Sequence, residues 1–113
     1  MNVLVTGSRK WTDFGTIYER LSQLPKDSLV IEGGASGADT LARTAAARLG
    51  FGRVTVKALW AKYGRSAGVR RNRAMLDLKP DLVLGFRINN SAGTTDCIDE
   101  ARRRGIAVEV LDR

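Results

Sequence analysis

Leu29-Val30-Ile31-Glu32-Gly33-Gly34-Ala35-Ser36-Gly37-Ala38-Asp39 is the stretch on which the fold turns. A short continuous apolar run stopped by paired glycines reads as a strand covered on both faces. Beyond Gly37, the spacing of Leu41, Ala42, Ala45, Ala46 and Leu49 follows one face of a helix from about Gly37 to Leu49. Gly50 then supplies a C-terminal cap. Strand, glycine turn and helix in that order are the opening of a parallel βαβ unit.

The same alternation runs outward in both directions. Upstream, Val3-Leu4-Val5 centres a strand over Asn2–Thr6 that Gly7 stops. Thr12 or Asp13 caps a helix with Phe14, Ile17, Leu21 and Leu24 on its apolar face, and Pro25 ends it. Downstream, Arg53–Leu59 alternates basic and apolar, as a less buried strand does. A polar loop over Trp60–Ala67 leads to a helix ending near Leu78. Asp81–Phe86 is a strand, Gly93–Arg104 a helix closed by Gly105, and Ile106–Leu111 the last strand. Five strands and four helices in βαβαβαβαβ order predict an α/β fold: a Rossmann-like, doubly wound parallel sheet. Right-handed crossovers favour the strand order 3-2-1-4-5, with a switch point between strands 1 and 4.

Composition agrees and excludes much else. The 113 residues suit one domain over 1–113. With no histidine, a Ser-His-Asp triad, a Cys-His dyad and an imidazole zinc site are absent. No metal and no cofactor are expected. The single cysteine, the lack of any apolar run of about 18 residues, and the lack of a basic stretch ahead of Met1–Gly7 point to a cytoplasmic protein without membrane contact.

The net charge of +7 is local. Residues 53–87 hold nine basic side chains and two acidic ones, which accounts for all of it. Lys62–Arg73 has five basic residues and no acid. Such a segment is either a solvated surface or a site for a phosphate or a nucleic-acid backbone.

In a sheet of this kind, ligands bind beyond the carboxyl ends of the strands at the switch point. Three glycine-bearing turns fall there: Thr6-Gly7-Ser8-Arg9, Gly33–Asp39, and Asn89-Asn90-Ser91-Ala92-Gly93-Thr94-Thr95. Glycine allows close backbone approach, and helix N-termini favour anions. Each turn taken alone is equally served by steric need and ordinary capping. Neither G-x-G-x-x-G nor G-x-x-x-x-G-K-[ST] occurs, so a standard dinucleotide site or P-loop is not supported. Asp39 serves either the helix dipole or a ribose hydroxyl.

Arg70, Arg71 and Arg73 cannot share one helical face, since each step turns the helix by about 100°. One of them turned to the crevice offers a planar fork to phosphate, and Asn72 both donates and accepts. Trp11 reads as core, whereas Trp60 serves core or ligand stacking equally. Cys97 reads as a small buried hydrophobe.

These residues resemble the SLOG superfamily, the Rossmann-like domains of DNA-processing protein A and of the LOG ("lonely guy") enzymes. The similarity is greatest to its small YspA/YpsA-related members from phages and bacteria. It is carried by Val5–Arg9 with Trp11, Glu32–Asp39, Ala58-Leu59-Trp60 with Tyr63-Gly64, Ala67-Gly68 with Arg71-Asn72 and Met75, and Ser91–Asp96. The resemblance implies a nucleotide or nucleotide-derived ligand, its phosphate near Gly93-Thr94. LOG enzymes cleave the N-glycosidic bond of nucleoside monophosphates with an arginine and a glutamate. Arg71 matches the arginine, Cys97 stands at the glutamate position, and Asp96 lies one residue earlier.

The expectation is therefore a binding domain, of sensor type, contacting its ligand through Gly7, Ser8, Arg9, Gly33, Gly34, Ser36, Gly37, Asp39, Trp60, Arg71, Asn72, Ser91, Gly93, Thr94 and Thr95. The alternatives are a LOG-like hydrolase using Arg71 with Asp39 or Asp96, and a nucleic-acid binder like DNA-processing protein A. The size of the fold, and relatives that associate, are in keeping with a homodimer.

Overall fold

The computed structural model describes all of residues 1–113. The strands are β1 (Asn2–Gly7), β2 (Leu29–Glu32), β3 (Gly52–Thr55), β4 (Leu82–Arg87) and β5 (Ala107–Asp112). The helices are α1 (Phe14–Ser22), α2 (Ala38–Arg48), the single turn α3 (Trp60–Tyr63), α4 (Ala67–Asp77) and α5 (Ala92–Arg103). All strand pairs are parallel, in the order β3-β2-β1-β4-β5. β1 therefore sits in the middle, with Val3 against Val30 on one side and Leu82 on the other.

Alternation along β1 divides the core. Val3 and Val5 face α1 and α2, where they pack with Ile17, Leu21, Ala42 and Ala45. Leu4 faces α4 and α5, with Met75, Leu76, Cys97 and Ala101. Both edge strands, β3 and β5, are largely exposed, which explains their mixed composition. Asp13 caps α1, its Oδ1 accepting from the Thr16 N–H at 3.2 Å. No helix is long and apolar enough to cross a membrane.

Two elements differ from their sequence reading. β3 ends at Thr55, not Leu59, because its partner β2 turns away after Glu32; the Val56 N–H still reaches the Glu32 carbonyl at 2.9 Å. The expected loop at Trp60–Ala67 is instead α3 followed by a 3₁₀ turn, Gly64–Ser66, running into α4. A one-turn helix is too short for apolar periodicity to announce it.

Candidate functional site

A cavity of about 630 Å³ opens beyond the carboxyl ends of β1 and β4, where the chain's crossovers change direction. The turn after β1 and the segment from Ile88 to Thr94 form two walls. Trp60, Arg65 and one face of α4 form a third, and Ala35 and Asp39 close the remaining side.

The three glycine turns do not contribute alike. In the first, Gly7, Ser8 and Arg9 line the cavity together with Thr6 and Lys10. A methyl group at Gly7 would collide with the Ala38 side chain and stand 2.5 Å from the Phe86 carbonyl, so this glycine serves packing. In the middle turn, Gly34 and Ser36 are exposed, Gly33 is buried beneath Arg71, and none of these three, nor Gly37, lines the cavity. The start of α2 is instead closed from within. The Ala38 N–H donates to the Ser8 carbonyl at 3.1 Å, and a methyl group at Gly37 (φ +76°) would collide with the Ser8 and Arg9 carbonyls. In the third turn, Ser91, Gly93 and Thr94 line the cavity, while Thr95 bonds to Arg87 beside it. No side chain caps α5, and its first turn holds no acid. A methyl group at Gly93 would meet no atom within 4 Å. The Ala92, Gly93 and Thr94 N–H groups donate to no protein group, and these residues border the cavity, where the helix start carries partial positive charge. The Ser91 hydroxyl is buried without a partner.

α4 carries the central side chains. Arg71 Nη1 donates to the Gly33 carbonyl at 2.8 Å, and Arg71 Nε donates to Asn72 Oδ1 at 3.2 Å. Asn72 Nδ2 donates to the Gly93 carbonyl and to Asp96 Oδ2, both at 3.1 Å. Arg73 turns away and pairs with Asp96 at 3.1 Å. Arg70 lies over the Tyr63 ring. Of the three arginines only Arg71 faces the cavity, as helical steps require. Asn72 is 4% exposed and its amide is spent on protein groups, so it positions the crevice walls.

Asp39 is 5% exposed, and its Oδ2 accepts from the Gly33 N–H at 3.1 Å and the Ala35 N–H at 3.3 Å. Burial pushes its carboxyl up to about 6; the Ala35 N–H and Arg71 oppose the rise, and the Glu32 charge assists it. Glu32, buried at the end of β2, holds the turn by accepting from the Gly34 N–H and the Thr55 hydroxyl, each at 3.1 Å. Trp60 stands at the rim, 49% exposed, while Trp11 is core, edge-on to Phe86 at 5.4 Å. Cys97 is buried and its thiol is pushed up to about 12, chiefly by burial, which leaves it unreactive.

Lys10, Arg65 and Asn89 line the cavity without having been singled out from sequence. The local basic excess was the available signal for Arg65. Lys10 and Asn89 lie beside expected site residues, and only the turn geometry places them.

The model of the YspA, cpYpsA-related SLOG family (YAcAr) matches residues 1–63. The Gene 61 protein of Mycobacterium phage D29 is 39% identical over 116 residues, covering 94% of this chain and 92% of that protein. The X-ray structure of DNA processing protein A (DprA) from Streptococcus pneumoniae is similar at a TM-score of 0.63 and 18% identity. That likeness covers 96% of this chain and 58% of the neighbour, and it is one of fold.

Proposed function

The chain belongs to the YspA, cpYpsA-related SLOG family, and we propose that its crevice binds a nucleotide or nucleotide-derived ligand as a sensor or binding domain. The observation that carries this reading is the charge around the cavity. Arg9, Lys10, Arg65 and Arg71 line it against Asp39 and Asp96, and Asp96 is already paired with Arg73. The open amides at the start of α5 add to the same field. An anion is the complement of such a site, and the volume suits a nucleoside phosphate. In this reading Ser8, Arg9, Trp60, Arg71, Ser91, Gly93 and Thr94 are contacts, while Asn72, Gly33 and Gly37 hold the walls. The residues form one domain.

Calorimetric titration with nucleoside 5′-monophosphates, ADP-ribose and cyclic nucleotides tests the proposal. At least one should bind, and Arg65→Ala should weaken it without lowering the melting temperature, because Arg65 is an exposed rim residue. Absence of heat with every ligand overturns it.

One observation favours turnover as a second reading. Burial that pushes the Asp39 carboxyl up to about 6 beside a cationic pocket supports general acid–base work; in this reading Asp39, or else Asp96, assists cleavage and Arg71 meets the phosphate. Free base released from a nucleoside monophosphate by the wild type, and not by Asp39→Asn, would support N-glycosidic cleavage. No release removes it.

A further inference from the structure

Four arginine guanidinium groups lie over aromatic rings in this protein. Arg70 over Tyr63 at 4.3 Å, Arg113 over Trp11 at 4.7 Å and Arg48 over Phe14 at 4.9 Å are close contacts. Arg9 over Trp60 stands off at 5.8 Å. It is the widest of the four and the one whose two members both line the crevice.

The setting of Trp60 adds to this. Its indole is 49% exposed, whereas Trp11 is 2% exposed. The ring edge rests on α4 at Gly68, where a methyl group would stand 3.4 Å from Cη2. The backbone therefore seats the ring while its face toward Arg9 borders the cavity. A flat ring held between two planar groups needs about 3.5 Å on each side, roughly 7 Å in all. The Arg9–Trp60 spacing is wider than the three direct contacts. Measured from guanidinium carbon to ring centroid, it is about 1 Å short of that figure, and the exposed Arg9 side chain can swing to open and align the two planes by a rotamer change.

We infer that Arg9 and Trp60 form a clamp for a planar heteroaromatic ring, so that the crevice takes a base-bearing phosphate in preference to a sugar phosphate. The inference rests on the nucleotide reading above and names the part of the ligand that confers selectivity. Stacking on the indole is tolerant of base identity, because every base has a π-face. The guanidinium covers the opposite face and brings positive charge to the same end of the cavity.

The test compares AMP, GMP, CMP and UMP with ribose 5-phosphate, which lacks a base. The protein has two tryptophans, and Trp11 is buried, so ligand-dependent quenching reports on Trp60. At least one monophosphate should quench the emission and bind about tenfold more tightly than ribose 5-phosphate, the scale of one base–aromatic stack. Trp60→Ala should remove that advantage and Trp60→Phe should keep most of it. Arg9→Lys keeps the charge but loses the plane; it should weaken nucleotide binding and leave ribose 5-phosphate binding unchanged. Equal affinity for the two ligand classes overturns the clamp, as does calorimetric nucleotide binding unaltered by Trp60→Ala. Either result leaves the nucleotide reading standing. Binding of no nucleotide removes both.

Discussion

Asp39 is a charge that the fold holds against its preference. Its carboxyl titrates near 6 in the folded protein, above its ordinary 3.8. Between those values the native state binds the proton more tightly than the unfolded chain does. The contribution of this group to stability therefore falls as pH rises through about 4 to 6 and stays level above, a difference of about 3 kcal/mol. Asp39→Asn keeps an oxygen for the Gly33 and Ala35 N–H groups and discards the charge. Urea unfolding at pH 4, 5, 6 and 8 should show the variant gaining stability over the wild type as pH rises. Parallel curves would remove the assignment. Carboxylates held low by partners, such as Asp13 beside Thr16 and Arg113, act in the opposite direction and cancel in the comparison. The burial of Asp39 was not legible in the sequence, where a first-turn acid reads equally as a dipole partner. Nor was the reach of Arg71 to the Gly33 carbonyl, since the bond joins residues 38 positions apart.

Helix starts separate elements that the sequence treats alike. Gly37 and Gly93 both sit in glycine turns before helices, and both read as ligand-facing. The structure puts the Ser8 and Arg9 carbonyls against the first, while the second opens on the cavity. Alanine should distinguish them. Gly93→Ala meets no neighbour and replaces a poor helix former, so the melting temperature should hold or rise, by up to about 1 kcal/mol in stability. Gly93 lines the cavity, so the same methyl group takes up space that the proposed ligand would fill beside the α5 amides, and titration calorimetry should show weaker ligand binding. A loss of stability together with unchanged binding would contradict this placement. The strands and long helices were legible because burial on two faces leaves unbroken apolar runs and helices keep their period. The closure of α2 was not, because a carbonyl carries no mark of its acceptor role in its side chain. Trp60–Ser66 escaped for want of length.

Across the whole molecule, four basic side chains converge on the crevice, two from the turn after β1 and two from the basic segment 53–87. Arg9, Lys10, Arg65 and Arg71 face the crevice, while the ion pairs Arg20–Glu109, Arg87–Asp112 and Arg113–Asp13 lie elsewhere and partly in solvent. Salt should therefore act on binding more than on folding. Raising sodium chloride from about 50 to about 500 mM shortens the screening length several-fold. Affinity for a phosphorylated ligand should fall, while the melting temperature should shift little, because exposed pairs contribute at most about 1 kcal/mol each. A melting temperature that collapses with salt, at constant affinity, would reverse that division. The strand order was accessible from crossover handedness alone, but which basic residues converge depends on α4 lying across the crevice. Two neighbouring residues of that helix, Arg71 and Asn72, tie it to the Gly33 carbonyl in the turn after β2 and to the Gly93 carbonyl at the start of α5. α4 is in this sense a cross-brace, and it holds the mouth at a set width. On the proposed reading, a site braced this way surrenders little conformational entropy when its ligand enters. The expected association rate is then that of diffusion with electrostatic steering.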